Sequence, residues 1–137
     1  GLLPWGRGHY PVFWALWEGT PAGATLYELT AELDAGPIVE QKPVAVLASD
    51  TGGRLHERVQ GAERELYQRW LPRLASGARP PATPQAPGGS CHDLEEFEYL
   101  RDEGRYEVPR DARERLARCL TFPGRSGPGP NAKESPS

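Results

Sequence analysis

One carboxylate stands out by its setting. Asp34-Ala35-Gly36 forms a short bend between two apolar stretches, within the run GATLYELTAELDAGPIVEQKPVAV from Gly23 to Val46. An acid on a turn between two buried strands is held by the scaffold and still reaches a pocket mouth, and catalytic groups tend to sit on such loops. The plainer reading is that Asp34 makes an Asx-type turn ahead of Gly36. Both readings stand on the local residues alone.

The elements that would hold this bend follow from the flanking pattern. Leu2-Leu3-Pro4-Trp5-Gly6-Arg7-Gly8 is a loop, with two glycines and a proline in a short span. Proline suits the start of a helix and glycine its end, so residues 11–18, between Pro11 and Gly19, are expected to form a short helix. Phe13, Trp14 and Trp17 give it an aromatic face, read as core packing. Thr20-Pro21-Ala22-Gly23 is a turn. Ala24 to Leu29 alternates, with Thr25, Tyr27 and Leu29 on one side and Leu26 on the other, the pattern of a strand. Ile38 to Leu47 is a second strand, and Pro43 within it removes a ladder donor, which places it at an edge or on a bulge.

Ser49, Asp50 and Thr51 offer N-caps for a long helix. Leu55, Val59, Ala62, Leu66, Trp70 and Leu74 recur at three- to four-residue intervals and mark its apolar stripe, while Arg54, Glu57, Arg58, Glu63, Arg64, Glu65 and Arg69 read as a solvated face. Pro72 falls in its last turn and Gly77 is a C-cap candidate. Residues 78–90, ARPPATPQAPGGS, read as an extended Pro/Gly-rich linker. Asp93 can cap a helix over Leu94, Phe97, Tyr99 and Leu100, and a second helix is expected from about Pro109, burying Ala112, Leu116, Cys119 and Leu120. The tail at 124–137, rich in Gly, Pro and Ser, is expected to be disordered.

The totals narrow the function class. At 137 residues there is room for one ordinary domain. The formal net charge is −3 with scattered basic residues, which gives no nucleic-acid surface. No apolar run approaches the ~20 residues of a membrane span, and no signal peptide is visible. Cys91 and Cys119, without metal-ligand spacing, read as reduced thiols of a cytosolic, cytoplasmic protein rather than as a disulfide. The chain opens at Gly1 without an initiator methionine and runs straight into an apolar loop, so it reads as a fragment entered mid-fold.

Taken together and in order, LLP-x2-RG, YPVFWALWEGTPAGATLY, LDAGPIVEQ and SDTGGRL resemble the folate-dependent formyltransferases over residues 1–77. The resemblance implies an α/β fold. The chain would hold the C-terminal part (1–77) of a Rossmann-like catalytic domain, with two strands, a short aromatic helix and a long amphipathic helix. A linker (78–90), a short helical region (91–123) and the tail would follow. It implies N10-formyltetrahydrofolate as donor and co-substrate, and no metal. The family's signature opens with Asn-x-His shortly before the LLP loop and closes with the Asp of an L-D-x-G bend. Asp34 matches that aspartate, while the Asn and His would lie upstream of Gly1; His9, beyond the Arg-Gly of the loop, does not replace the latter.

The resemblance also places the other site residues. A primary amine attacking a formamide-like carbonyl creates an oxyanion and a positive nitrogen; the Asn and His would steady the first, and Asp34 would hold the charge state of the His and assist proton removal. Ala31, Glu32 and Leu33 occupy the segment whose backbone edges the pterin pocket. Trp5, Arg7, His9 and Tyr10 sit on the loop near the acceptor and formyl group. A guanidinium can pair bidentately with a phosphate, although Arg7 reads equally well as a surface charge or a loop-stabilising ion pair.

The Gly-His-Tyr-Pro-x-Phe-Trp and Glu-Gly-Thr-Pro-Ala-Gly stretches are most similar to enzymes that formylate amino sugars attached to nucleoside diphosphates. His92-Asp93-Leu94 and Arg118 to Gly124 are similar to the region that follows the core in those enzymes. The partner implied is therefore an amino-sugar nucleotide, with no nucleic acid or membrane and with homodimer formation left open. Glycinamide ribonucleotide formyltransferase shares the DAGPIVEQ and SDT segments but lacks the tryptophan-rich helix. Initiator-tRNA formyltransferases share the helix but add a basic C-terminal barrel. A non-catalytic remnant or interaction fragment is the alternative from another class; its uncovered sheet edge and apolar surface would invite association.

Overall fold

The computed structural model describes residues 1–122; residue 123 and the tail at 124–137 lie outside the described residues. Four short strands and four helices follow in the order β1 (Arg7–Gly8), α1 (Pro11–Glu18), β2 (Ala22–Tyr27), β3 (Ile38–Val44), α2 (Gly52–Ala75), β4 (Cys91–His92), α3 (Leu94–Glu98) and α4 (Arg110–Cys119). A π-helical turn at Tyr99–Glu103 and a 3-10 turn at Gly104–Tyr106 join α3 to α4. The mixed α/β architecture is the one expected.

Helix α1 is the centre of the packing. Pro11 starts it, where the missing N–H costs nothing, and Gly19 ends it at φ 73°, with its N–H on the Ala15 carbonyl. Val12, Phe13, Trp14, Ala15 and Leu16 are all buried. A helix apolar on every side needs cover on every side, and it receives it from Leu55 and Val59 of α2, Phe97 of α3, and Leu116 and Cys119 of α4. The Phe97 ring meets Phe13 edge-on at 5.0 Å, and Arg115 of α4 lies 4.3 Å over Trp17.

Strands β2 and β3 form an antiparallel pair, with Ala22 opposite Val44, Ala24 opposite Lys42 and Tyr27 opposite Ile38. The pleat sends Ala24 and Leu26 towards α2, where Ala62 and Leu66 cover them, and Thr25 and Tyr27 to the other face. The alternation is as expected, but the strand begins at Ala22 and stops at Tyr27. Leu29, expected to continue it, is 88% exposed. Beyond Tyr27 the chain turns into the bend, where the Glu28 N–H bonds the Pro37 carbonyl. Pro43 stands opposite Gly23, on an edge, and the register irregularity lies instead between Leu26 and Tyr27.

The α2 stripe buries Leu55, Val59, Ala62 and Leu66, leaves Trp70 half-buried and exposes Leu74. Thr51 is the N-cap, accepting from the Arg54 N–H, and the Gly53 N–H reaches the Thr121 carbonyl at 2.8 Å, so two orphan donors of the first turn are satisfied. Two readings of this region change. Asp50 is not a cap, and Arg58 is not merely a solvated charge. Asp50 is 1% exposed and accepts from both Nη atoms of Arg58, at 2.7 and 3.0 Å, and from the Leu47 N–H at 2.8 Å. Arg58 also donates to the Ala45 carbonyl. This pair fastens the connection from β3 to the foot of α2, and Gly52 beside it admits the Cys119 carbonyl where a Cβ would stand 2.1 Å away.

The stretch 78–90 meets the open edge of β3 at Thr83 and turns at Gly88 and Gly89, both at positive φ. Thr83 exchanges backbone hydrogen bonds with Ile38 at 2.7 and 2.8 Å, and Ser90 brings the chain to β4, which pairs in parallel with β1. Asp93 caps α3 as expected, accepting from the Glu96 N–H. Cys91 is exposed, Cys119 is buried, and neither forms a disulfide.

The Arg58 guanidinium holds the Asp50 carboxyl below its ordinary value of 3.8. The pair's contribution is therefore complete above that value and is lost as the pH falls through the lower folded value. Replacing Asp50 by Asn should cost about 2–3 kcal/mol in chemical denaturation at pH 7, less than a fully buried pair because Arg58 is partly solvated. It should also flatten the stability loss below pH 4. An unchanged slope there would place the acid sensitivity elsewhere.

Candidate functional site

The bend brings Asp34 to the face of the sheet opposite α2. Asp34 adopts φ 54°, in the left-handed region that aspartate tolerates better than most residues. Gly36 permits the closure: a Cβ there would stand 1.6 Å from the Glu28 carbonyl oxygen. The carboxylate does not cap its own turn. Oδ2 accepts from the Gly8 N–H at 2.9 Å and Oδ1 from the Tyr27 hydroxyl at 2.6 Å. Hence the Asx-turn reading gives way to a carboxylate that joins three pieces of chain: the glycine loop, strand β2 and the bend.

Asp34, Tyr27 and Gly8 line a hollow of about 250 Å³, together with Gly1, Leu3, Gly6, Pro11, Thr25 and Glu63. Thr25 organises its floor. Its hydroxyl donates to the Gly1 carbonyl and accepts from the Leu3 N–H and from Gln41 Nε2. A carboxylate offers about four acceptor positions. Two are taken by Gly8 and Tyr27, leaving capacity for a donor that enters the hollow.

The other sequence-predicted residues divide into groups. Arg7 is half-buried beside Gly8, and its Nη2 donates to Gln85 Oε1 at 2.8 Å; it is not among the residues lining the hollow. Trp5 is half-buried and packs over a small apolar recess with Pro11, Pro21 and Val59. His9 and Tyr10 are exposed at the start of α1; Tyr10, at φ 55°, stacks on Phe97 with ring centroids 4.0 Å apart. Ala31, Glu32 and Leu33 are exposed on the approach to the bend, Leu33 at 68%. Thr30 Oγ1 donates to the Glu32 carbonyl, while the amides of residues 31, 32 and 33 donate to no backbone carbonyl among the described residues. That segment therefore has backbone donors free to meet a ligand.

Near the site, Tyr27 and Gln85 carry no local signal that singles them out, and His92 is marked in the sequence only by the resemblance of His92-Asp93-Leu94 to the region that follows the core. Tyr27 was read only as a strand residue. Gln85 lies in a proline-rich stretch, and its Nε2 donates to the carbonyls of both Asp34 and Gly36, at 2.8 and 2.9 Å. His92, on β4, stacks on Trp14 at 3.7 Å and places its two ring nitrogens against Glu18 and Glu96. Most of their partners lie 49 to 78 residues away in sequence, beyond any local pattern. No group of His, Cys, Asp and Glu with metal-binding geometry occurs among the described residues, and no helix is long and apolar enough to cross a membrane.

Comparison with known proteins bears on this arrangement. The sequence model of the family described as "Formyl transferase" matches residues 1–71. A Mycobacterium tuberculosis protein described as a "likely sugar N-formyltransferase" superposes with a TM-score of 0.80 at 28% identity, covering 91% of this chain and 54% of that one. A sugar N-formyltransferase from a Shewanella species superposes at 0.81 and 25% identity, over 91% and 51%. A formyltransferase from Anoxybacillus kamchatkensis, solved with UDP-4,6-dideoxy-4-formamido-L-AltNAc and tetrahydrofolate, superposes at 0.65 and 31% identity, over 81% and 59%. The chain thus spans about half the length of these structures.

The hydrogen bond to Asp34 and its negative charge push the Tyr27 phenol up to about 12. In Asp34→Asn the charge is gone, so one phenol should titrate closer to its ordinary value of 10. Absorbance at 295 nm should then rise earlier in the variant than in the parent, and a Tyr27→Phe background should abolish the difference. Identical curves for parent and Asp34→Asn would contradict the contact.

Proposed function

Because the chain belongs to the formyl transferase family, we propose that it supplies part of a site for formyl transfer. The group passes from N10-formyltetrahydrofolate to the primary amine of a nucleotide-linked amino sugar. The observation that carries this reading is the Asp34 carboxylate, braced by Gly8 and Tyr27 at the wall of a hollow with acceptor capacity to spare. The structure solved with a formamido-sugar nucleotide and tetrahydrofolate supports the substrate class.

In this reading the sugar amine attacks the formyl carbonyl and forms a new C–N bond while the bond from that carbon to the donor's nitrogen breaks. The amine must lose a proton as it becomes an amide. Asp34 is the group of this chain placed to accept it or to hold the charge of a neighbouring His that does, and the proton then goes to the departing nitrogen. In this reading the Asn and His of the family's signature would complete the site with Asp34. Both substrates take part as reactants, so no resident cofactor or metal is needed to state the step. The backbone of Ala31, Glu32 and Leu33 is exposed beside the bend with unspent donors, which suits reading the donor and acceptor edge of a pterin. Trp5, His9 and Tyr10, on or near the glycine loop, form the side on which the acceptor would lie. Arg7 is braced against Gln85 rather than turned to the hollow, so a phosphate role for it requires that bond to open.

Two measurements test the reading in the protein that carries this chain. With the folate donor and a panel of amino-sugar nucleotides, one member should yield a formamide product. No product from any of them, with folate binding intact, would contradict it. Asp34→Asn should lower kcat by roughly 10³-fold, within the usual range for loss of a general acid–base group. It should move the folate Kd by no more than about threefold, since an interaction used only in the chemical step leaves ground-state binding intact. Equal losses of binding and turnover would assign Asp34 a structural role.

A further inference from the structure

Gln85 occupies a position that its neighbourhood in sequence gives no reason to expect. It follows Ala82-Thr83-Pro84, in the segment bound to β3 through Thr83. Its side-chain amide is fully engaged. Nε2 donates one hydrogen to the Asp34 carbonyl and the other to the Gly36 carbonyl, at 2.8 and 2.9 Å, and Oε1 accepts from Arg7 Nη2 at 2.8 Å. The orientation is unambiguous in chemical terms, because a guanidinium only donates and a backbone carbonyl only accepts.

These bonds close a ring around the carboxylate. Asp34 Oδ2 accepts from Gly8 N; Gly8 is bonded to Arg7; Arg7 donates to Gln85; and Gln85 donates back to the Asp34 carbonyl. The ring therefore ties the backbone that carries the acid to the loop that orients it. The need for such a tie is visible at Asp34 itself. A non-glycine residue at φ 54° is held there only if its surroundings over-determine it, and Gln85 holds the carbonyls on both sides of Ala35. Arg7 spends its charge on this brace: Gln85 is its acceptor, and its Nε is buried with no acceptor among the described residues. A neutral amide is a weak counterpart for a guanidinium in energy terms, but it carries donors that a carboxylate lacks. Only an amide can accept from Arg7 and donate to two carbonyls at once.

We propose that Gln85 is a positioning residue for formyl transfer, fixing the direction of the Asp34 carboxylate through the bend carbonyls and through Arg7. This rests on the catalytic reading of Asp34 given above. A displacement of the order of 1 Å at a reacting group is costly in rate while leaving substrate binding nearly untouched. Gln85 thus belongs with kcat rather than with KM.

The test uses the protein that carries this chain. Gln85→Met keeps the volume and removes all three hydrogen bonds; Gln85→Glu keeps an acceptor for Arg7 and removes the donors to the bend. Both variants should lose kcat by roughly tenfold, a modest share of what misplacement can cost, with KM for either substrate changed less than about twofold. In an Asp34→Asn background, Gln85→Met should cause less than about a twofold further loss, because groups that act as a unit are not additive. Wild-type kcat in a folded Gln85→Met or Gln85→Glu protein would overturn the proposal while leaving the role of Asp34 standing. So would a full tenfold loss added on top of Asp34→Asn, or a fall in melting temperature with unchanged turnover per folded molecule. If instead the parent protein forms no formamide product, or Asp34→Asn is as active as the parent, the functional reading itself fails and takes this one with it.

Discussion

A single aspartate side chain holds together segments that the chain order keeps apart. Asp34 draws one hydrogen bond from the glycine loop and one from strand β2, and its own backbone is gripped from behind by Gln85. Remove that carboxylate and the loop at Gly8 and the tip of β2 lose their common partner, while the bend keeps only its backbone bonds to Gln85. The constraint runs both ways. An acid at a strand-to-strand corner is useful for proton transfer only if its direction is set before the substrate arrives. Donors fixed in advance set it at far lower cost than water could.

The rest of the fold supplies the rigid frame. Helix α1, apolar on all sides, is enclosed by α2, α3 and α4, and only two residues separate it from β1 of the glycine loop. The Asp50–Arg58 pair secures the foot of α2, and contacts from Glu40 to Arg69 and Trp70 secure its far half against β3. Because β4 pairs with β1 and His92 stacks on Trp14, the segment after residue 78 contributes to the frame of the loop and not only to its own small helical region. The site is thus framed by the first 36 residues together with the segment from Gln85 to His92.

The parts of this arrangement that were legible in the sequence are those with a period or a local chemical signature. Pro11 and Gly19 bracketed α1 without error, the apolar stripe from Leu55 to Leu66 drew α2, and the alternation of Thr25, Leu26 and Tyr27 assigned two faces to β2. The bend was legible as a bend because Asp34 and Gly36 are turn formers. What escaped was long-range. Arg58 looks like one more surface charge until Asp50 is folded beneath it. Gln85 looks like filler between prolines, since nothing in a Pro-rich stretch signals that one amide will meet a bend 49 to 51 residues earlier. Strands β1 and β4 hold two residues each, too few for any alternation to be read.

The central claim is that the Asp34 carboxylate, and not a water molecule or the bend backbone, is the acceptor for the Gly8 amide. Backbone amide hydrogen exchange resolved at Gly8 measures this directly. The account predicts that the Gly8 N–H is protected in the parent and exchanges at least ~10-fold faster in Asp34→Ala, as expected when a local hydrogen bond is lost without global unfolding. The Arg7 N–H, which bonds the Ser90 carbonyl, should be little changed. A Gly8 amide that exchanges freely in the parent, or that keeps its protection when the carboxylate is removed, would contradict the account.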